Sequence, residues 1–383
     1  MKLSSNFCRI LVFFLICLSA AAGLRGEDQG KKQPVSLPKT ETLTIKPKDS
    51  DLQYQLHVAL PDEAGTPGRM FPVIYLLDSD VHFGFVRSLV GSLHLSGDLE
   101  AVILVGIGYG EGSLATWSRN RDRDFLVAAQ PGPTPGDSGN AARFLALLRS
   151  EIIPRIESGF PARKGDRTLL GMSAGAIFAA HVLVTSPDLF RRYVIVSPYL
   201  IAGQEKVIGE EIVAAKGRKD IEARVYTALG NSEQEVAGPN WNALFGNLAL
   251  RQYPRLALRK DVISGLSHFE IPFSAYLQGI KYVFGGRPAP LQAVAGNYPA
   301  MRGRYFFSLG GATILVTMES GKLLVHLGPS PVELVPISRT RFAATGFPGM
   351  EFSFLPGENA QSRALILGQM GFDSAAWRME EGK

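Results

Sequence analysis

Gly171-Met172-Ser173-Ala174-Gly175 stands between a short apolar run, Thr168 to Leu170, and a longer one, Ile177 to Val184. In that order the segment reads as a strand, a turn too tight for ordinary side chains, and a helix. A serine at the apex of such a turn projects its Oγ from the end of a sheet. Glycines two residues to either side remove side chains that would collide across the turn. The five residues alone recur by chance in a chain this rich in Gly and Ser, so the flanking runs carry the reading. They demand a sheet whose strand feeds directly into a packed helix.

The rest of the chain offers the other strands of such a sheet. Val73 to Leu77, Ala101 to Val105, Tyr193 to Val196 and Arg224 to Leu229 are nearly all apolar, and Leu256 to Ile263 is strand-like. Strands apolar on both faces belong to a parallel sheet covered by helices. Thr42 to Lys46 and Tyr54 to Leu60 alternate instead, as strands exposed on one face do. Helical spacing appears in Ala141 to Ile156, Trp241 to Arg251 and Tyr276 to Tyr282. This alternation predicts a doubly wound α/β domain over 41–285. Beyond the Gly/Pro-rich linker 286–290 the helical period disappears. Short strand-like runs follow (313–318, 323–327, 332–335, 350–355 and 364–369), predicting a small all-β domain over 291–383.

The first residues are of another kind. Lys2 and Arg9 precede the apolar run Ile10 to Leu18, and Ala20-Ala21-Ala22 offers a cleavage site, so 1–22 reads as a secretory signal peptide. Residues 23–40 are a polar, flexible lead-in. Both cysteines, Cys8 and Cys17, fall in the leader, so the mature chain is expected to carry no disulfide and no Cys-ligated metal. Export without disulfides suits a periplasmic or secreted protein. Loss of Lys2 and Arg9 takes the formal charge from +5 to +3, with basic residues scattered among acids. No nucleic-acid partner and no integral membrane span are expected.

A serine hydroxyl needs a base, and the base needs a third group to orient it. Of six histidines, His268 lies in a turn-like segment, Ser264 to Phe269, just after the last strand-like run. That is where an imidazole can reach back over the serine. His181, on the helix after the serine, reads as a packing residue. His57 and His326 fall in strands; His82 and His94 precede the serine. None shows metal-ligand spacing, so neither a metal nor another cofactor is expected. The acid belongs between Ser173 and His268, in the loop after Leu229, where Glu233 is the first choice and Glu235 the second. Asp188 follows the serine helix too closely and reads as structural. Backbone N–H groups of Ala174 and of the Asp78-Ser79-Asp80 turn, taken at Ser79, are the expected oxyanion donors.

These blocks resemble the putative-esterase branch of the α/β-hydrolases, which includes esterase D-like enzymes and the enterobactin- and salmochelin-esterase type. The similarity runs from about Val73 to Phe284. It rests on Val73 to Asp78, Arg121 to Phe125, Phe144 to Glu157, Thr168 to Ala179, Pro187 to Phe190, Ser197-Pro198 and Gly265 to His268. The resemblance implies Ser173 as nucleophile, Glu233 as acid and His268 as base, with Arg121 a candidate for an anionic substrate; Asp78, His82 and Tyr199 are expected beside the substrate from their places in the chain. For Arg121 a salt bridge to Asp124 is the competing role. The chain departs from the family at Ala176, usually a second Gly, and at Tyr199-Leu200, often a Trp pair. The tail from about Leu291 to Met379 resembles the lipocalin-like β domain of some bacterial hydrolases, which either packs over the active site or binds a ligand.

The function expected is an exported serine hydrolase that cleaves a small-molecule carboxylic ester, siderophore-like or an acylated sugar, through an acyl-enzyme. The alternatives are an acyltransferase on the same triad and a non-catalytic binding protein on a hydrolase scaffold.

Overall fold

In a computed structural model, the chain is described over residues 35–48, 52–110, 112–130, 138–287, 289–309, 311–328, 330–357, 360–369 and 371–379. The expected leader, its cleavage site, both cysteines and most of the lead-in lie outside these residues.

The first architectural unit is an eight-stranded sheet in the order β1-β2-β4-β3-β5-β6-β7-β8. Its strands are β1 (Thr40–Ile45), β2 (Tyr54–Ala59), β3 (Phe71–Leu76), β4 (Ile103–Gly108), β5 (Ala162–Met172), β6 (Arg192–Val196), β7 (Ala223–Gly230) and β8 (Leu256–Ile263). β1 and β2 run antiparallel, and β4 through β8 form one parallel array. Every residue of β3 and β4 is buried, whereas β2 keeps some half-exposed positions. Two apolar layers, one on each face, explain why β3 and β4 carry no charged residue.

Helices cover both faces: α1 (Ser79–Leu95), α2 (Leu114–Phe125), α3 (Ala141–Leu147), α4 (Ile153–Gly159), α5 (Ala174–Thr185), α6 (Lys206–Ala215), α7 (Gly238–Leu250) and α8 (Ile271–Val283). A π-helical turn, Leu148–Ile152, joins α3 to α4, so the expected helix over 141–156 is one rod that accommodates Pro154. Three helices, α1, α2 and α6, carry no expectation from the sequence. In α1 the buried Phe83, Val86, Val90 and Leu93 keep helical spacing, but Gly84 and Gly91 interrupt the signal with poor helix formers.

The second unit is a closed antiparallel barrel. It comprises β9 (Gly303–Phe307), β10 (Ala312–Glu319), β11 (Lys322–His326), β12 (Pro331–Pro336), β13 (Phe342–Ala344), β14 (Met350–Pro356), β15 (Ser362–Gln369) and β16 (Phe372–Arg378), with β16 pairing back on β9. Its interior is filled by Tyr305, Phe342, Phe354, Met301 and aliphatic side chains.

The barrel does not cover the end of the sheet where Ser173 lies. It docks on the far end of α1: the Trp377 ring stacks on His94 at 4.7 Å, and Trp377 Nε1 donates to the His94 carbonyl at 3.1 Å. Gly97 makes this approach feasible, since a Cβ there would overlap Ile366. Arg287 fastens the linker by pairing with Asp373 of β16 and donating to the Ser96 carbonyl after α1. Of the two placements left open by the sequence, packing over the active site is therefore excluded. A helix of 17 residues, about 25 Å at its rise, separates the barrel contact from the end where Ser173 lies.

Candidate active site

Three strands of the parallel array end in residues forced into the left-handed region: Asp78 after β3 (φ 56°), Ser173 after β5 (φ 58°) and Ser197 after β6 (φ 49°). Non-glycine residues avoid this conformation, and clusters of it mark sites where the backbone is bent for a purpose. At Ser173, with ψ −117°, the chain turns at once into α5. The turn is so tight that a Cβ on Gly171 would overlap the Gly175 carbonyl, and one on Gly175 would lie 3.1 Å from Asp78 Oδ2. The two glycines of the motif therefore serve different contacts, one across the elbow and one against the neighbouring strand end.

Ser173 is half-buried, its amide donates to the Val196 carbonyl at 2.9 Å, and its Oγ makes no hydrogen bond among the described residues. Glu233 is buried on the short helical turn after β7. Its Oε1 accepts from His268 Nδ1. Its Oε2 accepts from Ser197 Oγ at 2.6 Å and from the Gly230 amide at 2.8 Å. Burial alone would raise this carboxyl, but hydrogen bonds from His268, Ser197 and Gly230 outweigh it and hold the group below the usual carboxylate range. Glu235 is exposed and touches none of these groups. The imidazole of His268 is flanked by Tyr199 and Phe269, each ring 5.4 Å away and edge-on. With its Nδ1 proton committed to Glu233, the Nε2 lone pair is the one available to a hydroxyl.

Around the Ser173 turn, two helix N-termini converge, α5 at Ala174 and α1 at Ser79. First-turn amides of a helix have no acceptor within it, so such ends suit a developing negative charge. Ser79 itself is buried and its Oγ lies 2.6 Å from His57 Nδ1. His57 comes from β2 and carried no role in the sequence reading; a lone strand histidine offers no pattern by which to find it. Ser197, quoted only as part of a Ser-Pro block, is the other missed contributor.

Two of the residues expected toward the substrate, Asp78 and Arg121, are paired with each other. Asp78 is buried, and both its oxygens accept from Arg121, through Nε and Nη2 at 2.8 Å each. The Arg121 guanidinium also lies over Trp117 at 4.6 Å and reaches the Met172 carbonyl at 3.4 Å. Arg121 does not bridge to Asp124 either. Arg123 takes Asp124, which also accepts from the Tyr54 hydroxyl at 2.9 Å. The buried Asp78 draws the guanidinium that reaches it, and Asp124 is already satisfied. His82 packs edge-on against Tyr276 at 5.8 Å, and burial holds its imidazole below the ordinary range despite Asp78. His181 is buried on α5 with Nδ1 at 2.7 Å from Glu210, a packing role, and Asp188 meets Arg149 at the surface. Among the described residues no group of three or more His, Cys, Asp or Glu is arranged to hold a metal, and no helix is long and apolar enough to cross a membrane.

The Asp78–Arg121 pair ties the start of α1 to the end of β5. Removing the cation leaves a buried carboxylate uncompensated, at a cost of about 3–5 kcal/mol. Arg121→Gln is thus expected to lower unfolding stability by that order in a denaturant titration. Asp78→Asn in the same chain should recover part of the loss, because no charge is then left behind. Equal stability of Arg121→Gln and the parent would remove the pair from this role.

A family model described as Putative esterase matches residues 50–251, about half of the chain. Ferri-bacillibactin esterase BesA of Bacillus subtilis is 28% identical over 256 residues, covering 63% of this chain and 88% of that protein. A siderophore triacetylfusarinine C esterase of Aspergillus fumigatus is 28% identical over 220 residues, 54% of this chain and 72% of that protein. The crystal structure of the BES protein from Bacillus cereus superposes with a TM-score of 0.60 at 26% identity, covering 67% of this chain and 99% of that one. That structure is matched almost whole and leaves a third of this chain over. These relatives support an ester hydrolase.

Proposed function

The chain belongs to the Putative esterase family, and from that premise we propose that it is an exported serine hydrolase that cleaves carboxylic esters through an acyl-enzyme. The observation that carries the reading is the hydrogen bond from His268 Nδ1 to Glu233, on loops at the same edge of the sheet as the strained Ser173 turn. In this proposal Ser173 Oγ attacks the ester carbonyl while His268 Nε2 takes its proton. The oxyanion is met by the amides of Ala174 and Ser79. Collapse expels the alcohol, which receives that proton from His268, and leaves an acyl-Ser173. Water then attacks with His268 as base, and the carboxylic acid departs. Apo hydrolases commonly show this serine–histidine contact long or unmade, so an unbonded Oγ is compatible with the role.

The substrate proposed is a small ester of the siderophore class, on the strength of what the relatives are named for. His82 and Tyr199, half-buried beside the site, are the side chains proposed to meet it. Export rests on the leader-like first 22 residues and on cysteines confined to them. A fluorophosphonate provides the test: intact-mass and peptide analysis should find one adduct, on Ser173, with ester turnover lost in proportion. A label on Ser79 or Ser197, or full turnover by unlabelled protein in excess reagent, would overturn the assignment.

A further inference from the structure

Where the barrel meets the sheet, at the edge remote from Ser173, a cleft of about 1590 Å³ opens. On the sheet side it is lined at the amino-terminal ends of strands, by Phe71 opening β3, Asp166 early in β5 and Arg191 just before β6. Seven arginines and only three carboxylates face it. Arg163 pairs with Asp166 and Glu100, and Arg69 lies 3.8 Å from Glu63. Asp166 is engaged a second time by Arg192. The other five, Arg191, Arg302, Arg304, Arg363 and Arg378, form no ion pair among the described residues.

Two of those five are set into the wall. Arg378 donates only to neutral oxygens, the carbonyls of Ala300 and Ser362 and the Tyr305 hydroxyl, at 3.2–3.5 Å. Arg363 lies 5.8 Å from the Trp377 ring, and its Nε is buried with no hydrogen-bond partner. Burial pulls this guanidinium below its ordinary range, and Glu100 only partly opposes that. A buried donor without an acceptor destabilises the fold, more so when it belongs to a charged group. Crowding unpaired cations around one cavity adds self-repulsion. A fold has no reason of its own to carry both, whereas an anion in the cleft relieves both at once.

We infer that this cleft is a second binding site, for a ligand that carries two or more phosphate groups on a larger, partly apolar body. Guanidinium forks match phosphate oxygens two at a time, and several forks around one cavity favour several phosphates. The cleft is far larger than a single phosphate, and Leu315, Met318 and Trp377 give it an apolar wall. Because the barrel forms one side, the site belongs to the two-domain chain.

Tripolyphosphate is the probe for the shared chemistry. Calorimetry on the full chain should find one saturable site. Arg302→Glu with Arg304→Glu, both exposed and outside the catalytic machinery, should weaken it at least tenfold while ester turnover stays unchanged. Arg363→Gln should weaken it similarly. Lys216→Glu with Lys219→Glu, an exposed pair that does not line the cleft, makes the same charge change and should leave binding intact. Co-sedimentation with phosphatidic-acid vesicles but not with phosphatidylcholine vesicles would assign the phosphates to a lipid headgroup; tripolyphosphate binding without it would assign a soluble ligand. No saturable binding, or equal weakening by the two charge-reversed pairs, overturns the site.

Discussion

Ser173→Ala is expected to lower kcat/KM for a short p-nitrophenyl ester by about 10⁵-fold or more, some 7 kcal/mol of transition-state stabilisation. The protein should stay folded. Ser173 Oγ holds no hydrogen bond among the described residues, and alanine at φ 58° is no more strained than serine. His268→Ala should fall by a similar factor, and the double variant by little more, because nucleophile and base act as one unit. Thermal melting of all three should overlay the parent within a few degrees. If Ser173→Ala keeps its activity with an unchanged melting curve, the nucleophile lies elsewhere. If the double variant multiplies the two losses, the residues act independently and the relay is wrong.

The parallel strands and the serine turn were legible because burial on both faces leaves long apolar runs, and because a turn this tight accepts only glycine at 171. β10, β11, β12, β14 and β15 were legible for a different reason, since each places core residues such as Val316, Leu323 and Leu334 among more exposed ones. β9, β13 and β16 were not singled out. β13 spans three residues, and β16 buries Ala375 and Ala376, too small to announce a core strand. The site split in the same way. Ser173, Glu233 and His268 sit in segments with their own turn chemistry, and chain order alone singles them out. Pairings across the fold have no local signature. Asp78 and Arg121 are 43 residues apart, and Asp124, three residues along the same helix, was the nearer guess. The arginine-lined cleft is less legible still, because its residues come from strand ends and loops spread over 69–379. None of them forms a basic run.

Glu233→Gln is expected to lower kcat by about 10⁴-fold with little change in KM, the loss that follows when the orienting carboxylate of a triad becomes an amide. The hydrogen bonds around Glu233 dictate why. Its two oxygens meet three donors: His268 Nδ1 at one, Ser197 Oγ and the Gly230 amide at the other. The Gly230 N–H cannot turn into an acceptor, so a glutamine must place its carbonyl there and its NH₂ toward His268. The imidazole is then driven to accept at Nδ1 and to carry its proton on Nε2, the atom that must take the proton of Ser173. The substitution thus leaves the shape and reverses the tautomer. A pH signature accompanies it. Since the Glu233 carboxyl is held below its ordinary range, its charge stabilises the fold above the unfolded-state pKa, and that stabilisation disappears as pH falls through the folded-state value. The parent should therefore unfold at higher denaturant than Glu233→Gln near neutrality, with the gap closing in acid. Glu235→Gln, at an exposed position, should match the parent in both measurements. Retention of kcat within about tenfold by Glu233→Gln would leave His268 without its orienting partner and move the acid to another residue.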